Sequence, residues 1–192
     1  MKDVYLLDQD FQNINFTEQS LEKGEYENCT FRNCSFEYGD LSGFSFTDCE
    51  FTGCNLSMTK LIRTAFRSVH FKECKMFGLQ FSDCNDFGLS FTFEGCLLNN
   101  SVFYSTSVKK TVFRNSKLIE TDFTECDLSN SVFVNCDLSG AIFDRTNLEK
   151  SDFRTSFSYS IDPSVNRLKK ANFSLSEVHG LLYKLDIEID RN

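Results

Sequence analysis

The sequence predicts an all-β solenoid, a square coil of about seven turns closed by a short C-terminal helical cap. Three observations carry the prediction. A large apolar residue returns at every fifth position over most of the chain, the residue two before it is mostly small, and 192 residues hold a single Pro and no Trp. The stretch SVFVNCDLSGAIFDRTNLEKSDF (131–153) displays the period, with Phe133, Leu138, Phe143, Leu148 and Phe153 five apart. In an α-helix a step of five advances about 140°, so these side chains share no face. In a flat strand an odd step reverses the face each time. A chain that turns about 90° every five residues buries all of them on one axis, and four corners close a coil of about 20 residues that stacks at about 4.8 Å.

The elements follow in chain order. From Phe11 to Phe81 all fifteen positions at this spacing are apolar, and from Phe93 to Phe153 all thirteen are; the two registers hold 16 of the 22 Phe. A repeat of this strength settles the architecture ahead of local propensity. The position two before is Cys29, Cys34, Cys49, Cys54, Thr59 and Cys74 in the first register, and Cys96, Ser101, Thr106, Ser116, Thr121 and Ala141 are examples in the second. It also points inward, where only a small side chain fits beside the neighbouring Phe or Leu. All nine Cys occupy this position, counting Cys84 as a continuation of the first register. They read as small packing residues, because Cys behaves as a small hydrophobe. An odd count without a secretion signal argues against disulfides, and spacing set by the repeat argues against a zinc knuckle.

The small–x–Leu/Phe–x–x unit over residues 9–156 resembles the pentapeptide-repeat proteins. The resemblance implies a right-handed quadrilateral β-helix, here over 1–157, with 158–192 as a capping and dimerisation module. The registers are offset by two residues, so two extra residues must bulge outward somewhere within SDCNDFGLSFT (82–92). It reads either as a bulge that resets the register or as a contact element built from Asp86, Phe87, Gly88 and Leu89, since insertions in solenoids map to surface loops. After Phe153 the stretch 158–173 carries the only Pro and no repeat. Ser174-x-x-Glu177 then forms a capping box ahead of Leu175, Val178, Leu181, Leu182 and Leu185 at helical spacing. This predicts a short helix over 175–185 and an extended DIEI (186–189) that exposes Ile187 and Ile189. It serves as a lid on the last coil, as a two-fold contact, or as both.

The tail is similar to the C-terminal module of the Qnr and McbG group of quinolone-resistance and microcin-immunity proteins. The matching residues are Ile161-Asp162-Pro163, Asn166-Arg167, Leu181-Leu182 and Ile187-x-Ile189. The resemblance implies a homodimer joined at this module and a type II topoisomerase as partner, bound by imitation of DNA. The quinolone-protecting members carry longer projecting loops than the offset at 82–92.

Charge bears on that implication. The net charge is −8, which disfavours direct nucleic-acid binding by the chain as a whole. DNA carries roughly 20 charges over a rod of about 34 Å, far more than this chain. Residues 1–50 hold 11 acidic and 3 basic residues, 60–117 hold 4 and 9, and 118–162 hold 9 and 3. The acidic surface nearest a C-terminal dimer junction is Glu120, Asp122, Glu125, Asp127, Asp137 and Asp144, read either as mimicry or as ordinary solvation. His70 and His179 are far apart and read as surface residues. No phosphate-binding loop, nucleophile elbow or zinc motif is present, so the expected protein is a non-enzymatic binder that needs no cofactor, metal or small-molecule substrate. The start MKDVYLLDQD lacks a signal-peptide pattern and no apolar run reaches spanning length, so the expected location is cytoplasmic. The alternative function is a scaffold for another cytosolic protein.

Overall fold

The computed structural model describes residues 4–185, 187, 188 and 190. It is a parallel β-solenoid with four walls. The first wall is a seven-stranded sheet in the order β2, β4, β6, β8, β9, β10, β11, made of β2 (Asp10–Gln12), β4 (Thr30–Arg32), β6 (Glu50–Thr52), β8 (Val69–Lys72), β9 (Phe91–Glu94), β10 (Val112–Arg114) and β11 (Val132–Val134). The fourth wall carries β1 (Val4–Leu7), β3 (Gly24–Glu27), β5 (Ser45–Thr47) and β7 (Ala65–Arg67). The second and third walls are held by single parallel bridges such as Ser35↔Asn55 and Asp122↔Ile142. The register step is 20 residues below the insertion (Phe51↔Phe71), 22 across it (Phe71↔Phe93) and 20 again above it (Phe93↔Phe113).

The corner between walls requires the left-handed backbone conformation. Residues two after the central apolar position have φ near +55°, among them Asn13, Asn33, Asn115 and Asn135 at one corner. Asn tolerates this conformation, but Tyr38, Met58 and Arg63 also adopt it (φ 56°, 59° and 58°), and such residues carry a cost of about 1–2 kcal/mol each. The repeat overrides the preference because an inward Phe or Leu on each side fixes the corner.

The core is a stack of rings. On the first wall Phe11, Phe31, Phe51, Phe71, Phe93, Phe113, Phe133, Phe153 and Phe173 form one ladder, with centroids 4.5–5.4 Å apart. Phe81, Phe103, Phe123 and Phe143 stack on the third wall at 4.4–5.2 Å. The two ladders meet edge to face, as in Phe103 against Phe113 at 87°, the arrangement that ring quadrupoles favour.

The small inward residues do more than fit. Cys54 Sγ donates to Phe31 O at 3.2 Å, Thr64 Oγ1 to Leu41 O at 2.7 Å and Ser156 Oγ to Phe133 O at 2.9 Å. Each donor lies 23 residues after its acceptor, one coil on, and the offset grows to 25 across the insertion for Cys96 and Ser101. Buried carbonyls thereby gain a second partner. The nine Cys are free thiols, all buried except the half-buried Cys84.

Two expectations for the C-terminal segment need correction. The walls do not stop at Phe153, because Asn147↔Arg167 and Asp152↔Asn172 continue them. Asn166 stands 23 residues after Phe143 and donates to its carbonyl at 2.9 Å, taking the role that Ser, Thr and Cys play elsewhere, and Leu168 and Phe173 pack on the core. The stretch 158–173 thus carries a partial repeat. The helix over 175–185 is absent: there are two 3₁₀ turns instead, Val178–Leu181 and Tyr183–Leu185. The reason lies at Gly180, where an added Cβ would stand 2.1 Å from Tyr159 O. The backbone is pressed onto the last coil, and Gly180 O accepts from Ile161 N at 2.9 Å. Ile187 and Glu188 have no regular structure, so the extended strand is not formed there; Ile189 lies outside the described residues. No helix among the described residues is long and apolar enough to cross a membrane.

Candidate interaction surface

The insertion emerges on the fourth wall above β7. Asn85 N donates to Thr64 O at 2.9 Å and Ser90 N to Phe66 O at 3.0 Å, so both ends of the loop stay on the coil. Between them Asn85 Oδ1 accepts from Phe87 N at 3.0 Å, and Gly88 takes φ +72°. Phe87 is 78% exposed, and the Arg67 guanidinium lies 5.9 Å from its ring centroid. Asp86 and Gly88 are exposed beside it. Leu89 corrects the expectation: it is buried and turns inward with Phe91. The coil loses the inward residue it would have had at 86, and Phe91 fills that space against Phe66 and Phe81 at 5.7 and 5.3 Å. The contact element is therefore Asp86, Phe87 and Gly88, with Leu89 as its anchor.

The six acidic residues named from the sequence do not share one face. Asp137 and Glu120 belong to the second wall, Asp122, Asp144 and Glu125 to the third, and Asp127 to the fourth, as the bridges Lys117↔Asp137, Asp122↔Ile142 and Asp127↔Asn147 place them. Three of the carboxylates clamp turns: Asp122, Asp127 and Asp137 accept the N–H of Thr124, Ser129 and Ser139 at 2.8–3.1 Å. An aspartate that bonds its own backbone two residues on is a turn former. Arg145 pairs with both Glu125 (3.0 Å) and Asp144 (2.6 Å), and Lys109 pairs with Asp127 at 3.2 Å. These exposed pairs add little stability, but they lower the net charge that the surface shows.

The C-terminal segment leaves apolar area uncovered. Leu175 is 91% exposed, Leu185 60% and Ile187 54%. Val178, Leu181 and Leu182 are half-buried, and Leu181 packs on the core. Ile142, Val165, Asp162, Tyr183 and Lys184 line a groove of about 400 Å³ between the third wall and the tail. The Ser164 hydroxyl and N–H hold the Asp162 carboxyl below the usual carboxylate range. The predicted capping contact exists without its helix, with Glu177 N on Ser174 Oγ at 3.3 Å. Glu177 Oε2 accepts from Ser158 N at 3.2 Å and ties the tail to the last coil. His70 is exposed and bonds Thr92 at 2.6 Å; His179 is distant in the chain, on the first 3₁₀ turn of the tail.

A family model for pentapeptide repeats matches eight copies, over residues 10–48, 49–85 and 116–154, more than half of the chain. The chain belongs to the pentapeptide-repeat family. Among solved structures, a trypsin-treated QnrB1, described as a plasmid-mediated fluoroquinolone resistance protein, is 19% identical with a TM-score of 0.50, over 98% of this chain and 100% of that one. Full-length QnrB1 has the same identity, a TM-score of 0.44, and coverage of 96% and 100%. HetL, a pentapeptide-repeat protein involved in heterocyst differentiation regulation in the cyanobacterium Nostoc, is 14% identical with a TM-score of 0.28, over 90% and 87%. At these identities the likeness is one of fold. No curated protein matches the sequence.

Proposed function

We propose that this pentapeptide-repeat protein is a non-enzymatic cytoplasmic binder of a type II topoisomerase, DNA gyrase or topoisomerase IV. In this reading it modulates the enzyme or protects it from quinolone- or microcin-type poisons. The observation that carries the reading is the end-to-end match of fold with QnrB1, a fluoroquinolone resistance protein, which takes in the rod and the C-terminal segment together. The protein works as a homodimer joined by Leu175, Leu185 and Ile187, whose exposure is what a buried contact would relieve. The loop residue Phe87 and the carboxylates of the second and third walls face the enzyme. Mimicry of DNA is confined to Glu120 and Asp137 on the second wall and Asp122 on the third, because Arg145 neutralises Glu125 and Asp144 and Lys109 neutralises Asp127.

A second reading, a scaffold for another cytosolic protein, is favoured by Lys110, Lys150 and Lys170, which have no ion pair among the described residues and which a DNA mimic has no use for. Gyrase supercoiling with and without a quinolone, over a concentration series of the purified protein, separates the two. Inhibition or drug protection at low micromolar protein, lost in Phe87→Ala, supports the first. No effect on gyrases and topoisomerases IV from several bacteria removes it. Solution mass tests the dimer: Leu185→Asp with Ile187→Asp yields monomers at high salt, and an unchanged mass rules out this junction.

A further inference from the structure

One corner column changes sign along the rod. At the junction of the fourth and first walls, the lower coils place Asp8, Asn28, Asp48 and Ser68 one above another, each N–H of the first three bonding to the coil that follows. Ser90 is next, since its Oγ accepts from Ser68 N at 2.7 Å. The Thr92↔Val112 register then puts Lys110 over Ser90. Asn130, Lys150 and Lys170 complete the column through the same N–H ladder, Lys110 N to Ser129 O and Lys150 N to Lys169 O. Lys110, Lys150 and Lys170 are exposed and have no ion pair among the described residues; Asp48 is likewise exposed and unpaired.

We propose that this column is a self-complementary surface on which a second copy of the chain docks side by side and antiparallel. The order of residues specifies the partner. A two-fold axis beside Ser90 sets Asp8 against Lys170, Asn28 against Lys150, Asp48 against Asn130 and Ser68 against Lys110, with no like charges facing. A linear polyanion laid along the basic half would run into the acidic half, whereas a reversed copy matches both. Both halves stand on one lattice of about 4.8 Å per rung, so one match in register brings all the others. The neighbouring column sets Glu27 against Glu149 and Arg67 against Lys109. Each of these groups already has a partner within its own chain: Glu27 the Tyr5 hydroxyl at 2.6 Å, Glu149 Arg167 at 2.8 Å, Lys109 Asp127 at 3.2 Å and Arg67 the Ser45 hydroxyl at 3.0 Å. The exposed Phe87 of each copy stands near the axis and supplies an apolar centre. The corner is narrow, so the contact is small, charge-driven and salt-sensitive. It is separate from the C-terminal junction.

The test is sedimentation velocity of the full chain at about 20 mM and about 500 mM salt, roughly a fourfold to fivefold change in screening length. The mass should double from high to low salt in the full chain carrying Leu185→Asp with Ile187→Asp, which removes the C-terminal junction; with that junction intact, two unrelated two-fold contacts on one chain can add copies beyond a doubling. Lys110→Glu with Lys150→Glu and Lys170→Glu makes the column wholly acidic, and Asp8→Lys with Asp48→Lys makes it wholly basic. Each set alone should lose the doubling, and an equimolar mixture should regain it. The sites are exposed corners where Glu already occurs, as at Glu120 and Glu125 (φ 55° and 58°), so the fold is retained. A mass independent of salt, doubling that survives in either set alone, or a mixture that fails to associate would each overturn the proposal.

Discussion

Replacing Phe113 by Leu tests whether the ring ladders hold this rod together beyond simple burial. Phe113 is fully buried, stacked on Phe93 at 5.2 Å and Phe133 at 4.8 Å, with edge contacts to Phe103 and Phe123 at 6.3 and 6.2 Å. Leu keeps most of the apolar burial, as Leu118 and Leu128 show at equivalent inward positions of the second and fourth walls. What it loses is four ring pairs. At about 0.5–1.5 kcal/mol each beyond area, and less than additive because they share one ring, the loss is about 2–4 kcal/mol. For a chain of this length that lowers Tm by about 5–15 °C. The control is Phe16→Leu on the first coil, where Phe16 is half-buried with one stacked partner, Phe36 at 4.8 Å, and two edge partners; it should cost about 1 kcal/mol, partly because terminal coils of a solenoid fray first. Thermal unfolding by circular dichroism reads both. Equal losses in the two variants, or a loss under about 0.5 kcal/mol for Phe113→Leu, would refute a ladder contribution and leave burial alone as the cause.

Other outcomes follow from the same geometry. Burial pushes the Cys49 and Cys126 thiols up to about 12 and Cys136 up to about 11. Unfolded thiols ionise near pH 8.5, so the unfolded state releases protons first and stability falls as pH rises from there to about 11–12; urea midpoints measured across that range should decline, and less steeply in Cys49→Ser with Cys126→Ser. In the native state a thiol reagent should label at most Cys84 rapidly, and all nine cysteines after denaturation, which mass spectrometry resolves. Arg63→Asn puts a residue suited to φ 58° at its corner and should raise stability by about 0.5–1 kcal/mol in a denaturant titration.

Much of the fold is legible in the sequence because one inward position recurs every five residues and two bulky ladders cannot be buried any other way. The insertion is legible too, since a shift of register admits no other account. The donors are a different case. Of the 21 positions two before the central residue, from Cys29 to Leu79 and from Cys96 to Ala141, sixteen are Cys, Ser or Thr and only Gly39 and Ala141 are Gly or Ala. Packing alone would accept Ala or Gly there, so the composition already points to hydrogen bonding. The acceptor is hidden because it lies 23 residues back, a distance that has meaning only once the coil is closed. Asn166 is legible by the same rule and explains why the walls run past Phe153. The helix fails because helical spacing over 175–185 says nothing about the close approach of Gly180 to Tyr159.

Charge is where linear reading and structure diverge most. Counting by segment gives an acidic start, a basic middle and an acidic end, which suggests bands across the rod. In a solenoid, neighbours in space are 20 or 22 residues apart, so charge belongs to columns that run along the rod. Asp122 and Asp127 are five apart in sequence and on different walls, whereas Asp48 and Lys110 are far apart in sequence and on one corner. Glu120, Asp122 and Asp144 gain meaning as a surface only with their column neighbours, as Glu125 does with Arg145, 20 residues on, at 3.0 Å. A partner that reads this protein along its length meets columns of alternating chemistry. Substitutions that change one column while leaving net charge constant, such as exchanging Asp48 and Lys110, should therefore alter binding more than distributed substitutions that change net charge by the same number of residues.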